Sequence, residues 1–373
     1  MRVLMVSKAC LVGAYQTKLT AIGQAADVEL TVVVPPRWED PAGPLELERA
    51  HLDGYELRVS PIRFNGHFHI HYYPELPRLL RELRPDILHM DEEPYNLATW
   101  LALRAARRLD IRSLFFSWQN LNNRYPPPFS WLERQVLDWA DYGLMGNRAA
   151  VEVWQAKGYD GPYAVIPQFG VSPDIFQPAP GPRPDGPLRI GCLNRRLVAE
   201  KGVDILLEAV ADLPFPWELR IAGEGEARAA LAAQAAALGI ADRVTFSGTV
   251  SSLAMPAQLA QLDVLVLPSR TRPNWKEQFG RVLIEAMACE LPVVGSDSGE
   301  IPHVIGDAGL VYPEAEPAAL RAHLLALGTD ANLRDRLGKA GRIRVLNQYT
   351  QEQIAAQTVA VYREIISRGK RRS

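Results

Sequence analysis

Residues 264–296 read VLVLPSRTRPNWKEQFGRVLIEAMACELPVVGS, and the order of side chains in this stretch decides the fold. Residues 264–268 form a short apolar run closed by proline, residues 281–288 read as a helix, and residues 292–296 form a second apolar run. Neither run alternates polar with apolar, so both strands are buried on two faces, as in a βαβ unit of a parallel sheet. The pattern repeats along the chain. Strands are expected at residues 2–7, 28–35, 86–90, 112–117, 142–146 and 163–167, with a helix over 95–108. A second series is expected at 188–193, 218–223, 244–248, 264–268 and 292–296. The fold class is therefore α/β, with two doubly wound, Rossmann-like domains.

Between the two series, six prolines (Pro173, Pro178, Pro180, Pro182, Pro184 and Pro187) crowd together with Gly170, Gly181 and Gly186, the composition of a linker. The domains are placed at 1–168 and 188–349, the Pro-rich linker at 169–187, and a terminal helix at 350–368 that packs back towards the first domain. Ala355, Val359, Tyr362 and Ile366 form the stripe that this helix is expected to bury. The Ala-rich stretch 227–241 is too weakly apolar for lipid and reads as an ordinary helix.

The 373 residues hold 41 Lys plus Arg against 43 Asp plus Glu, a net charge of -2, so no basic field favours nucleic acid as a partner. Cys10, Cys192 and Cys289 are odd in number and far apart, which fits neither a disulfide framework nor a zinc cage and suits a reducing cytoplasm. The start MRVLMVS is strand-like, with no signal-peptide pattern, and no apolar run has the length of a membrane span. A cytoplasmic protein is expected. Arg107, Arg108, Arg112 and the tail cations Lys370, Arg371 and Arg372 leave peripheral contact with the inner membrane face open.

In such sheets ligands bind beyond the carboxyl ends of the strands, so the loops after strands carry the chemistry. After the strand at 188–193 the chain reads NRRLVAEKG, bringing Arg196 and Lys201 to a helix start at Gly202. A helix N-terminus flanked by cations suits a diphosphate, and solvated cations with Glu200 as a partner are the plain alternative. In the loop after 264–268, Glu277 precedes a helix that opens at Gly280, and Glu285 lies within that helix among apolar neighbours. A carboxylate there must be hydrogen-bonded, by paired sugar hydroxyls or by an arginine.

Together, EQFGRVLIEAMA with its Glu277 and Glu285 and RRLVAEKG with its Arg196 and Lys201 resemble the donor site of retaining glycosyltransferases of family 4, which have the GT-B fold. IPQFGVSPDIFQP, LRIAGEGE, VTFSG, DVLVLPS, LPVVGSDSGEIP and DAGLVY follow in the family's order, over residues 163 to 350. In the first domain the main carry-over is Gly13. The resemblance implies a metal-independent enzyme without cofactor that moves a sugar from a nucleoside diphosphate sugar, UDP-, GDP- or ADP-linked, to an acceptor hydroxyl on a sugar, lipid-linked glycan or small molecule. It implies that Arg196 and Lys201 neutralise the diphosphate, that Glu285 takes the ribose hydroxyls and Glu277 those of the sugar, and that Gln278, Phe279 and Gly280 line sugar and phosphate through their backbone. A sugar-nucleotide isomerase of the same architecture and a non-catalytic sugar-nucleotide binder are the rival readings.

Two departures stand out. Where many members carry a His after the strand at 112–117, this chain continues Trp118-Gln119-Asn120, so Gln119 or Asn120 replaces it with a neutral amide. Gly299-Glu300 stands where two glycines are common, and that loop is expected to pack differently. Acceptor-side candidates are Asp91 and Glu92, followed by Glu93, with a solvated acidic loop as the alternative. His67, His69 and His71 alternate as on one face of a strand, which reads better as an acceptor-side wall with His69 in it than as a metal site. Arg228 stands where the third glycine of a dinucleotide fingerprint belongs after Gly223 and Gly225, which counts against a nicotinamide enzyme.

Overall fold

The computed structural model describes residues 1–40, 43–181 and 186–368. It divides into two compact units, one of residues 1–170 and 351–373, the other of residues 171–350. Pro182 and Pro184 of the expected linker and the tail cations 370–372 lie outside the described residues.

The first unit is built on β1 (Arg2–Val6), α1 (Gly13–Gly23), β2 (Glu29–Val34), a hairpin of β3 (Arg37–Asp40) and β4 (Gly43–Glu46), and β5 (Glu56–Val59). Then come α2 (Leu76–Leu83), β6 (Ile87–Met90), α3 (Leu97–Arg108), β7 (Arg112–Ser117), α4 (Phe129–Trp139), β8 (Tyr142–Met145), α5 (Arg148–Ala156) and β9 (Tyr163–Val165). Seven strands make one parallel sheet in the order β5-β2-β1-β6-β7-β8-β9. Because side chains alternate along a strand, Val3 and Met5 of β1 face one layer while Leu4 and Val6 face the other. The layer over Val3 and Met5 is made by α1 and by the helix Gln351–Ser367, which comes last in the chain.

The second unit runs β10 (Leu188–Arg196), α6 (Val203–Ala211), β11 (Trp217–Glu224), α7 (Arg228–Ala237), β12 (Val244–Ser247), α8 (Met255–Leu259) and β13 (Val264–Leu267). It continues α9 (Arg281–Ala288), β14 (Val293–Ser296), α10 (Ile301–Ile305), β15 (Leu310–Tyr312), α11 (Pro317–Thr329) and α12 (Ala331–Gln348). Its six strands are also all parallel, in the order β12-β11-β10-β13-β14-β15. Each sheet therefore has one point where the strand order reverses, between β1 and β6 and between β10 and β13. At those points the loops diverge and leave a crevice; Gly13, Asp91, Glu92, Lys201 and Glu277 lie in the four loops concerned, while His69 follows β5 and Gln119 and Asn120 follow β7.

The last helix, α13 (Gln351–Ser367), joins the core of the first unit through Ile354, Ala355, Val359, Tyr362 and Ile365. Ile366, expected on the buried stripe, is 42% exposed instead, and its neighbour Ile365 takes the inward position. Eleven positions at about 100° each bring Ile366 back to within about 20° of Ala355, so its exposure follows from its place in the last turn, one residue before the helix ends at Ser367, and not from a rotated face. Each buried aliphatic side chain of this helix contributes roughly 1.5–3 kcal/mol. The Tyr362 hydroxyl shares a 2.7 Å hydrogen bond with His89 Nδ1, both side chains being wholly buried. Burial holds the His89 imidazole well below its ordinary pKa, so it stays neutral. Tyr362→Phe strands that nitrogen, and urea unfolding is expected to show a loss of about 1–3 kcal/mol at an unchanged slope. A loss below about 0.3 kcal/mol would remove this bond from the account.

Candidate active site

The second unit assembles its site from the loops after β10 and β13. Gly202 opens α6 with φ of 63°, and a Cβ there would overlap the Pro268 carbonyl, so only glycine lets the two loops lie this close. Arg270 stitches them further: its backbone N–H donates to Glu200 O at 2.8 Å, its Nε to Ala199 O at 2.8 Å, and its Nη2 to Asp204 Oδ1 at 3.0 Å. Across this junction Lys201 Nζ donates to Glu277 Oε2 at 2.7 Å, and Ser269 Oγ donates to the same oxygen at 2.8 Å. Lys201 also lies over the Trp275 ring, 4.8 Å from its centre. Glu277 is buried, and these contacts are what make a carboxylate tolerable there. The partner of Lys201 is thus Glu277 rather than the neighbouring Glu200.

The main chain of Glu277 is held as well. Glu300 N–H donates to the Glu277 carbonyl at 3.2 Å, and Gly299, at φ of 58°, packs so tightly on that carbonyl that a side chain would overlap it. The Gly299-Glu300 departure therefore keeps the glycine where the backbone needs one and adds a buried acid at the start of α10. Gly280 opens α9 with φ of 80° and no side-chain cap, which leaves first-turn amides without intrahelical acceptors. Phe279 is buried with its ring 5.8 Å from that of Tyr349, and Gln278 is exposed. Arg196, exposed at the end of β10, forms no ion pair among the described residues. Glu285 is buried in α9, where burial raises its carboxyl pKa against the pull of Arg281, its ion-pair partner at 2.9 Å.

Gly223 and Gly225 do not form an open phosphate cradle. Side chains at these positions would overlap the carbonyls of Asn194 and Leu197, and Arg228 Nη1 donates to Ser247 O at 3.0 Å and Gly223 O at 3.3 Å.

In the first unit the loops after β1 and β6 hold a dense polar network. Gly13 N–H donates to Glu48 Oε2 at 2.5 Å, and Gln16 fixes the same segment by accepting from Ala50 N at 3.0 Å. Asp91, Glu92 and Glu93 are all buried, so the loop is not a solvated acidic one. Asp91 accepts from Ser7 Oγ at 2.6 Å and Gln168 Nε2 at 2.9 Å, and burial raises its carboxyl pKa although Lys18 opposes the shift. Glu92 pairs with Lys8 and lies 3.4 Å from His71 Nε2; burial disfavours its charge, yet Lys8 and His71 outweigh that and hold it down at about 2. Glu93 accepts from Ser117 Oγ at 2.6 Å and Trp118 N at 2.8 Å. Ser117 Oγ in turn accepts from Trp154 Nε1 at 2.8 Å and Gln119 N at 3.0 Å, so its own proton points to Glu93. Gln119 and Asn120 are buried beside this network.

The three histidines do not share a strand face. Hydrogen bonds from Ile70 N and His71 N to His67 O wind residues 67–71 into a turn, which points the rings apart. His67 is exposed, His71 is wholly buried with Nδ1 on Phe68 O at 2.8 Å, and His69 sits among Tyr95, Tyr125 and Phe129. Burial lowers the His69 pKa. Sequence reading missed Ser269, Trp275 and the Ser117 relay. Lys18 was findable, since a lysine beside Leu19 on the inner face of a helix asks for a buried partner, here the Gln168 carbonyl at 2.9 Å.

Residues 178–344 match the model of the family described as glycosyl transferases group 1, and residues 12–168 match that of the glycosyl transferase 4-like domain. The two matches together span both units, each of which has the parallel α/β fold of a GT-B domain. Over 64% of its length it is 34% identical to MMP alpha-(1->4)-mannosyltransferase of Mycolicibacterium hassiacum, covering 61% of that protein. It is 28% identical to phosphatidyl-myo-inositol mannosyltransferase of Mycobacterium leprae, with 84% of each chain covered. The chain spans about half the length of several curated relatives, 44% of alpha-D-kanosaminyltransferase from Streptomyces kanamyceticus among them. In fold it is similar to Anabaena Alr3699/HepE in complex with UDP, with a TM-score of 0.73 at 16% identity over 98% of this chain and 100% of that one. Sucrose-phosphate synthase from Thermosynechococcus elongatus gives 0.70 at 20% identity, over 98% and 99% of the two chains.

Two outcomes follow from this geometry. Gly202→Ala forces a left-handed backbone on alanine against the Pro268 carbonyl, and chemical denaturation is expected to show a loss of about 2 kcal/mol or more. Burial pushes the Glu93 carboxyl from 4.5 up to about 7, against its hydrogen bonds from Ser117 and Trp118. The folded chain then keeps a proton that the unfolded chain gives up between those values, so the contribution of Glu93 to stability falls as pH rises through that window. Glu93→Gln lacks this term, and its stability relative to wild type is expected to rise between pH ~5 and ~8; a constant difference would contradict the assignment.

Proposed function

We propose that the chain is a retaining glycosyltransferase that moves a sugar from a nucleoside diphosphate sugar to an acceptor hydroxyl without a metal ion. The observation that carries this reading is the Lys201–Glu277–Ser269 contact, which unites two loops that the sequence had assigned separately to diphosphate and sugar. Arg196 is exposed at the end of β10, on the strand that leads into the Lys201 loop, and forms no ion pair among the described residues, a cation suited to a diphosphate. The amides that follow Gly280 suit the same anion. Relatives support the substrate class: one bears the name GDP-mannose-dependent mannosyltransferase, and structures of Anabaena HepE hold UDP or UDP-glucose.

In this reading Glu277 holds sugar hydroxyls and Lys201 orients its carboxylate. Glu285 turns from Arg281 to the ribose hydroxyls, and the backbone of Gln278, Phe279 and Gly280 lines sugar and phosphate. As the bond from the anomeric carbon to the diphosphate oxygen breaks, Arg196, Lys201 and the α9 amides meet the growing charge. The acceptor oxygen bonds the same face of that carbon, and its proton passes to the departing diphosphate. Gly13 lies on the donor side of the first unit, while His69, Asp91, Glu92, Gln119 and Asn120 order the acceptor side. No helix among the described residues is long and apolar enough to cross a membrane, and a cytoplasmic enzyme is part of the proposal.

Calorimetry with UDP, GDP, ADP and dTDP, with and without divalent metal, tests the donor half. One nucleotide is expected to bind without metal, and Arg196→Ala and Glu285→Ala are each expected to weaken it roughly tenfold or more, about 1.4 kcal/mol. Binding that ignores both substitutions would sink the donor assignment. Turnover of the sugar nucleotide without any acceptor would favour the isomerase.

A further inference from the structure

Helices α3 and α4 of the first unit are held to the core by Ala102, Leu103 and Ala106 and by Leu132, Val136 and Leu137. Their outer stripes differ from an ordinary solvated face. On α3, Trp100, Arg104 and Arg107 recur at i, i+4 and i+7, and on α4, Trp131, Gln135 and Trp139 recur at i, i+4 and i+8. Trp100 Nε1 donates to Gln135 Oε1 at 2.6 Å and so joins the two stripes. The Trp100 ring lies 5.7 Å from that of Trp131 and 6.2 Å from that of Trp139. Arg104 sits 4.9 Å from the centre of Trp100, and Arg107 5.6 Å from that of Trp139. Three indoles and two guanidiniums thus form one continuous patch, with Trp131 51% exposed.

The charge around the patch is predominantly positive. Arg104, Arg107, Arg108 and Arg134 are exposed on these two helices. Helix α3 contains no acid, and of the two in α4 Glu133 is buried against Lys157 at 2.7 Å, leaving Asp138 exposed.

We propose that this face docks on an anionic lipid bilayer. An indole has an apolar body and a single N–H donor, and it partitions to the depth where headgroups meet acyl chains. Guanidiniums stacked on the indoles stand at phosphate level and gain from each anionic headgroup. A bilayer supplies both layers in one plane, matching a patch in which aromatic and cationic groups interleave. The patch starts in the first turn of α4, the helix that follows the loop of Gln119 and Asn120. Combined with the proposed sugar transfer, that position implies an acceptor carried by a lipid, whereas the docking itself does not depend on the donor assignment. Arg112, expected from sequence among the lipid-facing cations, serves otherwise, donating to the carbonyls of Ile365 and Arg368 at 2.5 Å each.

The test is sedimentation of the full chain with vesicles of phosphatidylcholine alone or with about a third phosphatidylglycerol, some carrying brominated acyl chains that quench only tryptophans entering the bilayer. Binding is expected to require the anionic lipid, to fall with added salt and to quench part of the tryptophan emission. Arg104→Gln with Arg107→Gln is expected to weaken binding roughly twentyfold, near fivefold per charge. Trp131→Gln, at an exposed position, is expected to remove most of the quenching. Should Trp131→Gln fail to fold, the arginine pair decides alone. Absence of binding to anionic vesicles overturns the proposal, as does binding that neither variant weakens or a dimer in solution that Trp131→Gln dissociates. Sugar-nucleotide calorimetry on the same variants is expected to be unchanged, so failure here and failure of the donor assignment are told apart.

Discussion

A buried carboxylate at the edge of a parallel sheet constrains everything around it. The Glu277 carboxylate is buried against Lys201 and Ser269, which bond one of its oxygens, and Lys201 reaches it because Gly202 lets the loop after β10 touch the loop after β13. Gly299 and Glu300 then fix the carbonyl of the same residue from the loop after β14. Three strand ends are thereby locked together by contacts at one residue. Glycines and ionic groups, more than apolar packing, define this corner.

The central strands were legible because strands covered on both faces must be apolar throughout, and residues 3–6, 264–267 and 293–294 leave no other reading. What escaped lay at the edges. β5 is an outer strand with the sequence ELRV and no buried residue, so nothing in its pattern separates it from a loop. The hairpin β3–β4 also escaped, because its strands RWED and GPLE show no apolar run and hold only one buried residue, Trp38. In the second unit, residue types and their order picked out two loops that the structure brings into contact, because spacing along a helix start is local. The partners were not legible: Lys201 with Glu277 spans 76 positions and Ser117 with Glu93 spans 24, and no local rule encodes such pairs. The histidine triplet shows the opposite error, a local alternation that a single turn at residues 67–71 undoes.

The two units use their charges differently. In the first, Lys8, Lys18, Asp91, Glu92 and Glu93 are all engaged within the fold, and the carboxyls are driven apart, one towards neutrality near pH 7 and one firmly ionised. Such a split among three adjacent acids is set by what each side chain meets, not by their shared place after β6. In the second, Arg196 is left exposed at the end of β10. One unit is internally neutralised around its loops, the other keeps a cation in reserve.

The return of α13 to the first unit carries a consequence for biosynthesis. The core around Val3 and Met5 needs Ile354, Val359 and Tyr362, yet these leave the ribosome only after the whole of residues 171–350. At translation speeds of about 5–20 residues per second, the wait is on the order of ten seconds or more. During that interval the face of β1 and β2 that α13 covers has no lid, while the second unit already holds all of its own strands. The order of completion is therefore the reverse of the order of synthesis, and a chain ending near residue 350 and released from the ribosome would present a finished second unit beside an unfinished, sticky first one, the state in which a chaperone would most be needed.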